Sequence, residues 1–103
     1  VHLPCGTKDK RILSVFNEIL IPKVNLFKPD FILVSSGFDS RIDDLLGCYK
    51  ITDNGFKKLT KIITTLANKY CDGRIISILE GGYNLDGNAK ASIAHVSELN
   101  NLN

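Results

Sequence analysis

The sequence predicts an α/β domain: a partial three-layer α/β/α arrangement around a parallel sheet, with about three strands and three helices. Two apolar runs, residues 31–34 and 75–79, lack polar alternation, as strands covered on both faces do. A segment of helical spacing separates them and others flank them, so strands and helices alternate along the chain. Each run leads into a short glycine-containing loop, Ser35-Ser36-Gly37-Phe38-Asp39 and Leu79-Glu80-Gly81-Gly82-Tyr83-Asn84. In a right-handed strand–helix–strand unit both loops leave the same sheet edge. That edge is where open α/β sheets bind ligands, so Asp39 and Tyr83 are expected to converge there.

Along the chain, residues 1–3 read as the tail of a strand, closed by the turn-like Pro4-Cys5-Gly6-Thr7. Thr7 or Asp9 stands where a helix cap is expected. Ile12, Phe16, Ile19, Leu20, Val24 and Phe27 then form an apolar stripe at helical spacing. Pro22 interrupts it, and its missing donor and ring clash predict a kink near residues 19–21. Pro29 ends the segment, because the residue before proline avoids helical angles. After the first strand and an irregular stretch, Thr52 offers a cap with Asp53 in the first turn. Phe56, Leu59, Ile63, Leu66 and Tyr70 follow as an amphipathic helix, broken by Asp72-Gly73. Beyond the second strand, Ala89, Ile93, Val96 and Leu99 suggest a last helix, with residues 100–103 fraying.

The composition fits that picture without choosing a function. Hydrophobic residues at 44% and charged residues at 23% are ordinary for a globular protein and exclude a disordered chain. The net charge of +2 is too small for a nucleic-acid footprint, and the Lys57, Lys58, Lys61 cluster reads as a solvated helix face. Cys5, Cys48 and Cys71 are odd in number and far apart, which argues against a disulfide framework or a cysteine zinc site. Reduced thiols and a cytoplasmic setting are expected. No apolar stretch reaches membrane-spanning length, and no membrane partner is expected. No linker or repeat divides residues 1–103. The opening Val1 and the thin sheet with a bare apolar edge suggest a piece of something larger.

Asp39 on its Gly-Phe-Asp turn suits a metal ligand, a base or a simple loop cap. Tyr83, after two glycines, suits an oxyanion donor or a packing residue at a strand–helix junction. The Gly81, Gly82, Gly87 spacing fits neither a phosphate-binding loop nor a dinucleotide fingerprint. His95, flanked by Ala94 and Val96, reads as structural, and His2 belongs to no metal-binding pair.

These strings together resemble the carboxyl-terminal part of the zinc-dependent deacetylase family: histone deacetylases, acetylpolyamine amidohydrolases and acetoin-utilisation proteins of the arginase–deacetylase fold. The likeness begins at Leu3-Pro4-Cys5-Gly6-Thr7 with Asp9. It continues through Phe27-Lys28-Pro29-Asp30, the Asp39 loop and Asp43-Asp44-x-x-Gly47. Thr52-Asp53-x-Gly55-Phe56 and Glu80-Gly81-Gly82-Tyr83-Asn84-Leu85 complete it. The resemblance implies that Asp39 is one zinc ligand and Tyr83 the catalytic tyrosine. Gly82, with Gly81 and Phe38, would line the channel admitting an acetylated amine. It also implies a Zn2+ cofactor of which this chain holds one ligand.

The family's paired histidines and Asp-x-His ligands are not in the chain. His2, Arg41 and Leu45 stand where proline, histidine and proline are common. The chain is therefore expected to be the carboxyl-terminal piece of a deacetylase, inactive alone, with the amino-terminal part of the same domain as its partner. The alternative is a non-catalytic remnant serving as a binding or assembly module; an unrelated flavodoxin-like domain would make the motif match accidental.

Overall fold

The computed structural model describes residues 1–101. Helix α1 (Asp9–Val15) runs through a π-helical turn (Phe16–Leu20) into α2 (Ile21–Phe27); β1 (Ile32–Ser36), α3 (Asp53–Tyr70), β2 (Ile75–Leu79) and α4 (Leu85–Leu99) follow. The π-helical turn lies immediately before Pro22, whose nitrogen has no hydrogen to donate into the preceding turn. The expected kink is thus met by a local widening of one continuous helical run. Lys28 closes it in the left-handed region (φ 52°).

β1 and β2 pair in parallel, Ile32 opposite Ile75 and Ser36 opposite Leu79. The class expected from sequence is present, but the sheet has two strands among the described residues. Residues 1–3 form none. A strand needs a neighbouring ladder, and this end instead follows loop 40–52. Gly6 donates to the Cys48 carbonyl at 2.7 Å and Lys50 to that of Thr7 at 2.8 Å. The same pairing brings Cys5 and Cys48 to a Cα separation of 5.0 Å, where they form a disulfide. This corrects the expectation of three reduced thiols: residues 43 apart were judged by sequence distance, whereas backbone pairing makes them neighbours. Only Cys71 keeps a free thiol, buried and directed at the Pro29 carbonyl.

Helix α3 begins as expected, with the Thr52 hydroxyl accepting the Gly55 amide at 3.0 Å. Asp9 does not cap its own helix. Its carboxylate accepts the amide and hydroxyl of Thr52, tying the start of α1 to the start of α3. Phe56 and Leu59 from α3 form the core with Phe38, Ile51 and Ala91, and Ile12, Leu13, Phe16 and Tyr49 pack around it. Lys57, Lys58 and Lys61 are exposed, as a solvated face requires.

One face departs from the sequence reading. The strands are covered on one side only: Leu33, Ile76 and Ile78 on the other side are at least half exposed. The last helix is present as α4; its buried residues are Gly87, Ala91, His95 and Glu98, while Ile93 and Val96 are exposed. Helix α4 lies against α3 through small and polar side chains. Residues 102 and 103 of the end expected to fray lie outside the described residues.

Candidate active site

The two loops leave the carboxyl ends of β1 and β2 side by side. Beyond the ladder they remain joined: the Glu80 amide donates to the Ser36 carbonyl at 3.0 Å and the Phe38 amide to the Gly81 carbonyl at 2.8 Å. This zipper fixes Asp39 against the glycine pair. A Cβ placed on Gly81 would stand 2.7 Å from Asp39 Oδ2 and 3.3 Å from the Tyr83 hydroxyl. The two oxygens therefore lie within 6.0 Å of each other, the sum of those distances. Any side chain at 81 would occupy the space they share, and one at Gly37 would press on Asp39 Oδ1, 2.9 Å away. Asp39 and Tyr83 meet as the topology predicts.

Neither group is otherwise engaged. Among the described residues nothing donates to the Asp39 carboxylate and nothing bonds the Tyr83 hydroxyl. Tyr83 is 47% exposed. Its backbone, by contrast, is firmly held. Gly82 adopts φ 142°, a conformation open to glycine, and its carbonyl accepts from Asn88 at 3.1 Å. The Tyr83 amide donates to Asp44 Oδ1 at 2.8 Å. Asn84 bonds the Asp43 carbonyl through its amide nitrogen and caps α4 by accepting the Gly87 amide. Asp44 also accepts the amides of Leu46 and Gly47. These hydrogen bonds, Gly47's first and Tyr83's second, hold its carboxyl down to about 2 from an ordinary 3.8. Arg41 clamps Asp53 with two bonds of 2.8 and 3.0 Å, which raises the guanidinium pKa and lowers that of the carboxyl.

Beneath the loops lies a buried polar chain. The Thr60 hydroxyl donates to the Phe56 carbonyl at 2.7 Å, so it accepts from His95 Nδ1, also at 2.7 Å. Desolvation lowers the His95 pKa, and the neutral ring then accepts at Nε2 from Ser77 Oγ at 2.7 Å. Ser36 Oγ completes the chain against Ser77. His95 is structural, as its apolar neighbours suggested, and it braces β1 one residue before the Asp39 turn.

One expected site residue is elsewhere. Phe38 is 4% exposed, its ring edge-on to Phe56 at 5.2 Å and to His95 at 5.7 Å. It packs as part of the core. Its position between Gly37 and Asp39 in the loop suggested otherwise, but the chain turns its ring inward. Gly81 lies between the Asp39 carboxylate and the Tyr83 hydroxyl, and Gly82 packs against Asn88. The residue sequence reasoning passed over is Asp44, quoted only as part of a string, whose signal was a carboxylate three residues before a glycine. As for a metal, Asp39 offers a carboxylate with both oxygens free between two glycines, a fit for one position of a zinc shell. Catalytic zinc takes three protein ligands, and no cluster of three His, Cys, Asp or Glu forms among the described residues. Asp39 would supply one ligand of such a site.

A family model described as histone deacetylase domain matches residues 1–99. The chain belongs to the histone deacetylase family. It is 39% identical over 87 residues to "Probable deacetylase" of Archaeoglobus fulgidus, an alignment covering 84% of this chain and 24% of that protein. To "Histone deacetylase 14, chloroplastic" of Arabidopsis thaliana it is 44% identical over 84 residues, 82% of this chain and 20% of the relative. The crystal structure of the HDA15 HD domain superposes with a TM-score of 0.84 at 33% identity, covering 93% of this chain and 26% of that one. This histone deacetylase segment thus spans about a quarter or less of the relatives it matches.

Proposed function

We propose that this chain supplies the carboxylate metal ligand and the catalytic phenol of a zinc-dependent deacetylase domain. The substrate is an acetylated amine of the acetyl-lysine or acetylpolyamine type. The observation that supports it is the meeting of two unengaged oxygens, Asp39 Oδ2 and the Tyr83 hydroxyl, over a glycine at the tips of adjacent parallel strands. Zinc, when bound, supplies Lewis acidity and an acidified water. Asp39 holds the metal. The Tyr83 phenol donates a hydrogen bond to the oxygen that becomes negative as the acyl carbon turns tetrahedral. Gly81 and Gly82 leave room for the acylated chain beside them. The net reaction adds water across the amide C–N bond, giving acetate and the free amine.

Alone, the chain is inactive on this reading. It has two histidines, and the buried His95 is committed to Thr60 and Ser77. The remaining ligands and the proton-transferring groups come from the rest of the domain, which also covers the open side of the sheet at Leu33, Ile76 and Ile78. The outward apolar residues of α4, Leu85, Ile93 and Val96, favour a second reading, a non-catalytic assembly module. One experiment separates them. In the assembled domain, with an acetyl-lysine peptide and an acetylated polyamine as substrates, Asp39→Ala loses bound zinc and turnover together. Tyr83→Phe keeps zinc and lowers kcat about 10²–10³-fold. Full activity in either variant overturns the deacetylase assignment.

A further inference from the structure

We propose that Asp44 is the positioning residue for Tyr83, a carboxylate that fixes the phenol-bearing loop against the loop carrying Asp39. This rests on the reading of Tyr83 as the oxyanion donor. Oδ2 of Asp44 accepts the amides of Leu46 and Gly47 at 2.9 and 2.8 Å, closing a turn within its own loop. Oδ1 reaches 39 residues along the chain to the Tyr83 amide at 2.8 Å. Gly47 in turn backs directly onto Asp39: a Cβ there would overlap the Asp39 carbonyl oxygen. A contiguous path therefore runs from the Tyr83 amide through the Asp44 carboxylate and Gly47 to the backbone of Asp39.

The anchor sits where the chain most needs one. Tyr83 follows Gly82, which without a Cβ adopts φ 142°, and the Tyr83 hydroxyl has no hydrogen bond among the described residues. Without a tie at its amide the phenol would swing with the glycine pair. Asn84 adds a second tie by donating to the Asp43 carbonyl at 3.0 Å, so both residues at the tip of the Tyr83 loop are fastened to residues 43 and 44. The chemistry of position 44 is specific. Three amide donors converge on two oxygens, so only an acceptor-only group serves both sides. An asparagine keeps one oxygen and turns its NH2 toward N–H donors on the other side. The strongly acidic carboxyl agrees with a charge-assisted role.

The test is a set of variants in the assembled domain, assayed with an acetyl-lysine peptide: Asp44→Ala, Asp44→Asn, Tyr83→Phe and the double Asp44→Ala/Tyr83→Phe. Asp44→Ala and Asp44→Asn should each lower kcat about 10- to 100-fold, the scale of a small displacement of a reacting group, with KM within about twofold and zinc content unchanged. In the Tyr83→Phe background, Asp44→Ala should cost less than about twofold, because nothing remains to be positioned. Faster hydrogen exchange at the Tyr83 amide, with the Ile78 amide unchanged, should accompany the loss. Should the alanine variant be insoluble, Asp44→Asn carries the same test. A disabled Tyr83→Phe beside a fully active Asp44→Ala overturns this proposal alone, as do losses that multiply in the double variant. A fully active Tyr83→Phe overturns the functional reading and this inference with it.

Discussion

Helices α3 and α4 lie against each other, yet of the two only α3 buries large apolar side chains. Helix α3 turns Phe56, Leu59 and Leu66 inward, the stripe its spacing announces. Helix α4 turns in Gly87, Ala91, His95 and Glu98 and leaves Ile93 and Val96 outside. The first is held by filled volume. The second is held by close approach and by hydrogen bonds from one imidazole. An apolar stripe marks a face that can be covered, and which neighbour covers it depends on what lies opposite.

Substitutions can break that contrast, and the largest effect belongs to α3. Phe56→Ala should destabilise the chain by about 3–5 kcal/mol in a denaturant titration, since its buried ring cannot be replaced by collapse. Ile93→Ala on α4, 66% exposed, should stay within about 0.5 kcal/mol. Equal losses would mean the two faces are not different. Next comes overfilling: Ala91→Leu should cost about 1–3 kcal/mol, because Ala91 exposes no surface and α3 leaves no room. A neutral or stabilised Ala91→Leu would refute close approach as what holds α4.

The smallest effect is a pH slope. Burial holds the His95 pKa below its ordinary 6.5, so the unfolded chain binds the proton more readily in the window between the two values. Stability should be fully present above about 6.5 and fall as pH drops through that window. Chemical denaturation from pH 8 to 5 should show the decline, and His95→Gln should flatten it. An unchanged slope in that variant would remove His95 from the account.

Much of this was legible in local chemistry. The run at 75–79 is strand β2, and the first strand is shifted toward Ser36 because the ladder continues into the polar serines. Thr52 caps α3 since a hydroxyl before an acidic first turn satisfies an orphan amide wherever the helix sits. The convergence of Asp39 and Tyr83 followed from strand–helix–strand handedness. What escaped depends on distant partners. Phe38 lies beside Asp39 in sequence but opposite Phe56 in space. The Cys5–Cys48 bridge follows from a backbone pairing that no spacing rule encodes. Asp44 acquired its place from a residue 39 positions away.

The Cys5–Cys48 bond closes residues 5–48 into a covalent ring that contains α1, α2, β1 and Asp39 and leaves Tyr83 outside. A single protease cut inside that ring severs no piece from the molecule. Both cut ends stay threaded to the same sulfur pair, and the fragments part on a gel only after a thiol is added.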